Sequence, residues 1–298
     1  MDNRTETRDF LSTRRAKITP EQAGLAAYGG NRRVPGLRRG EVAILAGVSV
    51  EYYTRLERGN LAGVSESVLE SLANALQLDD AERAHLYDLA RAASEGGRSR
   101  RRPVRKQVIR PGVQLTLDAI SGSPAFIRNG RLDLLATNAL GRALYSDIYD
   151  SPAGPPNHAR FLFLDPRSRD FYTDWERAAN DTVAIMRTEA GRDPYDRGLS
   201  DLVGELSTRS EEFRVRWASH NVRQHYTGKK HFRHRIVGDL HLLYEALELS
   251  ADAGLTLTVY NAEPGTGTAD ALQLLASWAA TTPAIPEDAG DLRNIHNK

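Results

Sequence analysis

Cysteine is absent from all 298 residues. That excludes disulfides, thiolate zinc sites, iron–sulfur clusters and a cysteine nucleophile. Long apolar runs are missing too, and nothing approaches the roughly 20 consecutive apolar residues of a membrane span. The opening MDNRTETRDF is polar and lacks the apolar core of a secretory signal, so the expectation is a cytoplasmic protein with no membrane partner. What is present is ordinary for a folded chain: 40% hydrophobic and 27% charged residues exclude full-length disorder. The length fits two domains of roughly 150 residues. The net charge of +1 hides an asymmetry, because residues 1–110 carry 20 Lys and Arg against 14 Asp and Glu, while the remainder carries 20 against 25. A basic front on an acidic body is what nucleic-acid binding at the N-terminus needs, although surface scatter produces the same imbalance.

Asp9 to Lys17 reads as a short helix ending near Pro20. Beyond Gly29-Gly30 and a basic stretch from Arg32 to Arg39, residues 41–46 and 50–58 read as two helices divided by Gly47-Val48-Ser49. Val68, Leu69, Leu72, Ala73 and Leu76 recur at helical spacing. Asp79 and Glu82 stand at capping-box spacing ahead of a fifth helix reaching about Ala93. Five short helices predict an all-α domain over 1–95. Residues 96–110 hold Gly96-Gly97, Pro103 and a basic run, and read as a linker, either a solvated spacer or a phosphate-touching arm.

The pattern then changes. Ala125-Phe126-Ile127 and Leu132 to Ala136 flank Asn129-Gly130, a strong hairpin signal. A helix is expected from Asn138 to about Tyr145, and a helical stripe runs from Phe171 through Trp175 to Met186. Leu240–Leu249 and Leu255–Tyr260 read as strands, the second by clean alternation. A helix over about 268–280 closes the chain. Strands at both ends with helices between predict an α+β domain over 111–298.

The window from Arg39 to Arg58 carries the functional signal. As a helix-turn-helix, Ala43 is small where two helices cross, and Gly47 supplies a positive φ for the turn. Val42, Ala46, Val48, Tyr53 and Leu56 form the seam, and Ser49 caps the second helix. Ser49, Val50, Glu51, Tyr52 and Arg55 are then the residues facing base edges in a major groove. Arg38, Arg39, Arg58 and Asn60 are placed to meet phosphates. An ordinary helical hairpin is the alternative. The flanking helices and the four arginines between Arg32 and Arg39 favour double-stranded DNA as the partner.

At these residues the sequence resembles a known family. Val34-Pro35-Gly36-Leu37-Arg38-Arg39, Glu41-Val42-Ala43 and the run from Ala46 to Gly59 resemble MmyB-like regulators of the xenobiotic-response-element (XRE) helix-turn-helix superfamily. The likeness continues in Leu76 to Arg83, Trp217 to His220, His234, Val237-Gly238, Leu240, Tyr244-Glu245, Leu247 and Val259 to Ala262. It implies a five-helix, repressor-like N-terminal domain and a PAS-like ligand-binding C-terminal domain. It also implies an allosteric, homodimeric transcription factor. Family members are proposed to bind small apolar or amphipathic molecules, fatty acids among them. Two departures stand out: Gly40 where the family often has Glu, and Tyr53 where the superfamily commonly has Ile or Val. Gly40 weakens the start of the first helix by up to about 1 kcal/mol.

A ligand pocket requires apolar lining with a few convergent polar groups. Candidate lining residues are Phe126, Leu134, Leu140, Phe161, Trp217, Leu247 and Leu257, and candidate anchors are Asn138, Arg142, His220 and Tyr244. Each has a plainer alternative: Asn138 is placed to cap a helix, and the aromatics serve equally as core. His220, His225, His231 and His234 lie close in sequence but follow no metal-binding spacing, so no metal, cofactor or catalytic residue is assigned. Thr208, His220 and Asp239 form a triad only on paper, without a nucleophile elbow. The expectation is a non-enzymatic regulator binding an inverted-repeat operator under control of a mostly apolar ligand. The alternatives are a C-terminal domain that only dimerises or binds a protein partner, and an enzyme tethered to DNA.

Overall fold

A computed structural model describes residues 2–25, 34–95, 108–222 and 226–281. The head consists of α1 (Asn3–Lys17), α2 (Arg39–Leu45), α3 (Val50–Glu57), α4 (Glu66–Ala75) and α5 (Asp80–Glu95). Local chemistry starts several of these helices. Asp2 accepts the Arg4 amide, and Ser49 accepts the Tyr52 amide at 3.1 Å. Asp79 and Glu82 accept each other's backbone amides, with bonds of 2.8 and 3.3 Å. α1 begins earlier than the predicted Asp9. Its first turns bury Asn3, Glu6 and Thr7, polar residues that leave no hydropathy trace. Phe10, Leu11, Val42, Ala43, Tyr53 and Leu56 are fully buried in one head core.

The body follows with α6 (Pro111–Ala119), β1 (Ala125–Asn129), β2 (Leu134–Thr137), α7 (Ala139–Leu144), α8 (Ser146–Tyr149), α9 (His158–Leu164) and α10 (Ser168–Phe171). Next come α11 (Trp175–Arg192), α12 (Arg197–Arg209), α13 (Glu211–Ala218), β3 (Thr227–His234), β4 (Gly238–Glu248), β5 (Leu255–Asn261) and α14 (Gly267–Thr281). The five strands form one antiparallel sheet in the order β2-β1-β5-β4-β3. Alternation assigns its faces. Phe126, Phe232, Leu242, Tyr244 and Tyr260 point into a core shared with α7, α9, α10, α11 and α14. Ala125, Ile127, Leu255 and Leu257 point the other way, against Leu117 of α6. The α+β expectation holds, with β3 as an addition: its inward positions include Lys230 and His234, so the strand lacks an apolar stripe.

The hairpin between β1 and β2 differs from the two-residue turn expected of Asn129-Gly130. The loop runs to Asp133, with Leu132 at a left-handed φ of +65°. Asn129 is buried and organises it, its Oδ1 accepting the Arg131 and Asp133 amides at 3.0 Å each. Gly130 lets the hairpin pack closely, because a Cβ there would displace the Glu189 side chain of α11.

Residues 96–107, most of the expected linker, lie outside the described residues, as do Gly29, Gly30, Arg32, Arg33 and His225. Arg110, the last linker residue, pairs with Asp252 at 2.6 Å. α11 packs along α5 of the head. Val222, beyond α13, is buried in the head core.

Candidate DNA-recognition helix and ligand site

The turn between α2 and α3 is built by residues with specific demands. Gly47 takes φ +65°, which an L side chain rarely adopts, and its amide and that of Val48 close α2 on the Ile44 and Ala43 carbonyls. Ala43, Tyr53 and Leu56 are wholly buried, which leaves one face of α3 free. On or beside that face Ser49, Val50, Glu51, Arg55 and Arg58 are exposed, with Arg38 and Arg39 at the start of α2. Tyr52 and Asn60 are half-buried. The Arg55 guanidinium lies over the Tyr52 ring, 5.1 Å from its centroid, and Asn60 Nδ2 donates to the Arg55 carbonyl at 3.3 Å. Ile44 is 75% exposed beside this surface, an apolar residue that sequence reasoning did not single out.

Beneath α3, Glu57 is 2% exposed and locks three elements together. Its carboxylate accepts from Arg15 Nε of α1 at 2.6 Å, from Arg39 Nε of α2, and from the Tyr53 hydroxyl at 3.3 Å. Burial beside this carboxylate pushes the Tyr53 phenol well above its ordinary value. Arg39 therefore has a structural bond as well as an exposed side chain. Arg14 takes no part in this lock and turns to Glu82.

In the body, a small pocket of about 60 Å³ lies between the sheet and α11. Phe126, Tyr145, Tyr172, Phe232 and Tyr260 make its aromatic wall, and Ala178, Thr182 and Ile185 of α11 close it. Three cationic or imidazole groups enter this largely apolar space: Arg128, Lys230 and His158. Lys230 is neutralised by Asp181 at 3.0 Å. His158 is driven down to about 3 by burial and by the charges of Arg128 and Lys230, so it is neutral at physiological pH, and its Nε2 has no hydrogen-bond partner. Burial also lowers the Arg128 guanidinium from its ordinary value. Among the described residues the Arg128 side chain forms no hydrogen bond and no ion pair. The Tyr145 and Tyr260 hydroxyls bond each other at 2.7 Å, and burial raises both phenols, Tyr260 to about 12. A neighbouring open cleft of about 280 Å³ shares Arg128 and Ile185 and is bordered by Glu189 and Arg192. Burial raises the Glu189 carboxyl, opposed by Arg192 and Arg128.

Of the candidates named from sequence, Phe126 lies on the cavity wall. Leu134, Leu140, Phe161 and Tyr244 belong to the surrounding core but do not line it. The others are engaged elsewhere. Asn138 caps α7 through Gly141 N at 2.7 Å and ties down the Ile120 and Ser123 carbonyls, so its polar atoms are consumed. Arg142 stacks on Tyr149 at 4.3 Å. Leu257 faces α6, and Leu247, paired beside it, is 52% exposed on that same outer side. Trp217 and His220 sit at the seam with the head. Arg128, His158 and Lys230 were missed. Strict alternation along β1 places Arg128 on the face of Phe126, a signal already present in the sequence.

Two family models match this architecture. One, the MmyB-like transcription regulator ligand binding domain, covers residues 109–275; the other, a helix-turn-helix domain, covers residues 13–86. The chain belongs to the MmyB-like transcription regulators. A search of curated proteins finds no match. Both matched domains are those of transcription regulators, a DNA-binding head followed by a ligand-binding body. Among the described residues no helix is long and apolar enough to cross a membrane.

Proposed function

We propose that this regulator binds an operator through α3 and that a small, mostly apolar ligand bearing one acidic group, of fatty-acid type, sets the operator affinity. The carrying observation is Arg128, a guanidinium that enters an aromatic cavity with no carboxylate in ion-pair contact, Glu189 acting on it only through space. A buried charge is costly unless paired, and a ligand carboxylate would complete it with a bidentate bond. The pocket is smaller than the roughly 300–1,000 Å³ usual for ligand sites, so the apolar tail needs the adjoining cleft, reached by movement of Ile185. The strand order and the helices between β2 and β3 support the PAS-like reading. At the head, Ser49, Val50, Glu51, Tyr52 and Arg55 read bases, while Arg38, Arg39, Arg58 and Asn60 meet phosphates.

One recognition helix covers few base pairs, so the working form is a cytoplasmic homodimer on an inverted repeat, with half-sites about 34 Å apart. The body holds it: Leu115 on α6 and Leu247 are 71% and 52% exposed. The small volume of the pocket favours a second reading, in which the body only dimerises. No reaction is assigned, since Thr208 bonds within α12, Asp239 pairs with Arg233 and His220 lies at the head seam.

The test is native mass spectrometry of protein purified from its own host, with calorimetric titration of dodecanoate into wild type and Arg128→Met. A retained carboxylic acid, or dodecanoate binding that Arg128→Met abolishes, supports the reading. An empty protein that also ignores dodecanoate overturns it in favour of dimerisation alone.

A further inference from the structure

Between head and body lies a buried cluster of charges that serves neither the DNA face nor the cavity. Arg187 of α11 is fully buried. Its Nη1 donates to Glu6 of α1 and lies 3.0 Å from His220 Nδ1, and its Nη2 donates to the Trp217 carbonyl. The guanidinium carbon stands 3.9 Å from the Trp217 ring centroid, so the group is stacked as well as bonded. Glu6 also has His220 Nδ1 at 3.4 Å and His85 Nε2 of α5 at 3.8 Å. Burial opposes its ionisation, yet His220, His85 and Arg187 hold the carboxyl well below the usual carboxylate range. The seam continues outward. Arg14 of α1 donates to Glu82 and to the His220 carbonyl, and Lys17 Nζ donates to Asn221 Oδ1 at 2.7 Å. The packing is close enough that a Cβ on Gly191 of α11 would run into the His85 ring.

The body's share of these contacts comes from α11 and from residues 217–222. α11 is also the helix that closes the cavity with Ala178, Thr182 and Ile185. Arg187 lies within one helical turn of Ile185, so a displacement forced at the cavity reaches the seam along a single rigid element.

We propose that Arg187 is the positioning residue through which the cavity acts on DNA binding: latched on Glu6 it fixes the head on the body, and a shift of α11 releases it. The inference rests on the ligand-regulated reading above, but its core, that the latch sets operator affinity, is testable without any ligand. Coupling of two sites requires an element with two discrete arrangements that both sites bias. A buried ion pair supplies one, because Glu6 cannot stay buried and charged when its partner moves away.

The experiment uses the full chain and an operator selected by the wild type from random-sequence DNA. Glu6→Gln with Arg187→Met removes both charges, so neither is left buried alone. Arg187→Lys keeps the charge but cannot serve Glu6, His220 and the Trp217 carbonyl together. Folding is checked by circular dichroism, operator affinity by fluorescence anisotropy, and hydrogen exchange over 3–17 and 80–95 by mass spectrometry. The double variant is expected to change the unliganded operator Kd by at least about fivefold, with faster exchange in both helices. Arg187→Lys should move the same way by less, and it carries the test if the double variant does not fold. Wild-type affinity and exchange in the folded variants overturn the latch. Dodecanoate separates the two readings. An equal shift of operator Kd in wild type and double variant keeps the ligand and refutes the latch. No shift in either, with the unliganded variant still altered, keeps the latch and refutes the fatty-acid ligand.

Discussion

Replacing Arg15 with methionine removes the better buried of the two cations on Glu57 while keeping most of the side-chain volume. The Arg15 side chain is 17% exposed, against 54% for Arg39, and the carboxylate they share is 2% exposed. Breaking a fully buried pair by deleting one partner costs about 3–5 kcal/mol. Arg39 and the Tyr53 hydroxyl remain on Glu57 here, which reduces that loss to about 2 kcal/mol. Arg15 Nη1 also donates to the Leu37 carbonyl at 2.9 Å, a charged bond worth about 1.5 kcal/mol. Arg15→Met should therefore destabilise the head by about 3–4 kcal/mol, and Arg39→Met, half in water, by about 0.5–1 kcal/mol. Native-state hydrogen exchange of the α3 amides in the full chain measures this locally, without assuming one transition for two domains. Equal losses in the two variants, or a loss below about 1 kcal/mol for Arg15→Met, would mean that solvent already screens Glu57 and that burial is not what makes this pair strong.

At the DNA surface, Arg55→Ala should cost about 1–3 kcal/mol of operator affinity and relax base preference, whereas Arg38→Ala should weaken all sequences alike and reduce the salt slope by about 1. A gel-shift series over salt in which the two variants behave alike would contradict these roles. His158 supplies a pH signature: unfolded it titrates near 6.5, folded near 3, so the unfolded chain takes the proton first. Its contribution is complete above pH 6.5 and is lost as pH falls toward 3, at up to about 1.4 kcal/mol per pH unit. Urea titrations of His158→Gln should be flatter across that window, and an unchanged slope would refute the buried neutral state. For the dimer, Leu115→Glu in the full chain should lower the mass found by sedimentation at tens of micromolar toward that of a monomer; a dimer unaffected by it and by Leu247→Glu places the interface elsewhere.

The head was legible because its demands are local. Gly47, Ser49 and Ala43 each answer a steric or capping requirement set by residues at most a few positions away, and the Asp79–Glu82 cap closes within one turn. The strands β1, β4 and β5 were legible for the same reason, since alternation alone sorts Leu255, Leu257 and Val259 from Thr256, Thr258 and Tyr260. Elements whose buried face is polar left no such trace. The first turns of α1 bury Asn3, Glu6 and Thr7, and β3 turns Lys230 and His234 inward, so hydropathy recorded solvent where the fold has core.

What the sequence determined by itself, then, is a helix-turn-helix with its exposed arginines, a second α+β domain, and the absence of any thiol chemistry. Tertiary structure decided where the charges go. Glu6 and Arg187 lie far apart in sequence, one in the first helix and one deep in the body, and packing brings them together. Trp217 was expected to line a pocket and His220 to anchor a ligand, yet both lie at the seam, and Arg128, not singled out from sequence, enters the space between the sheet and α11. A buried charge is tolerated only where a partner meets it. That partner is set by packing between elements distant in sequence, which no local pattern encodes.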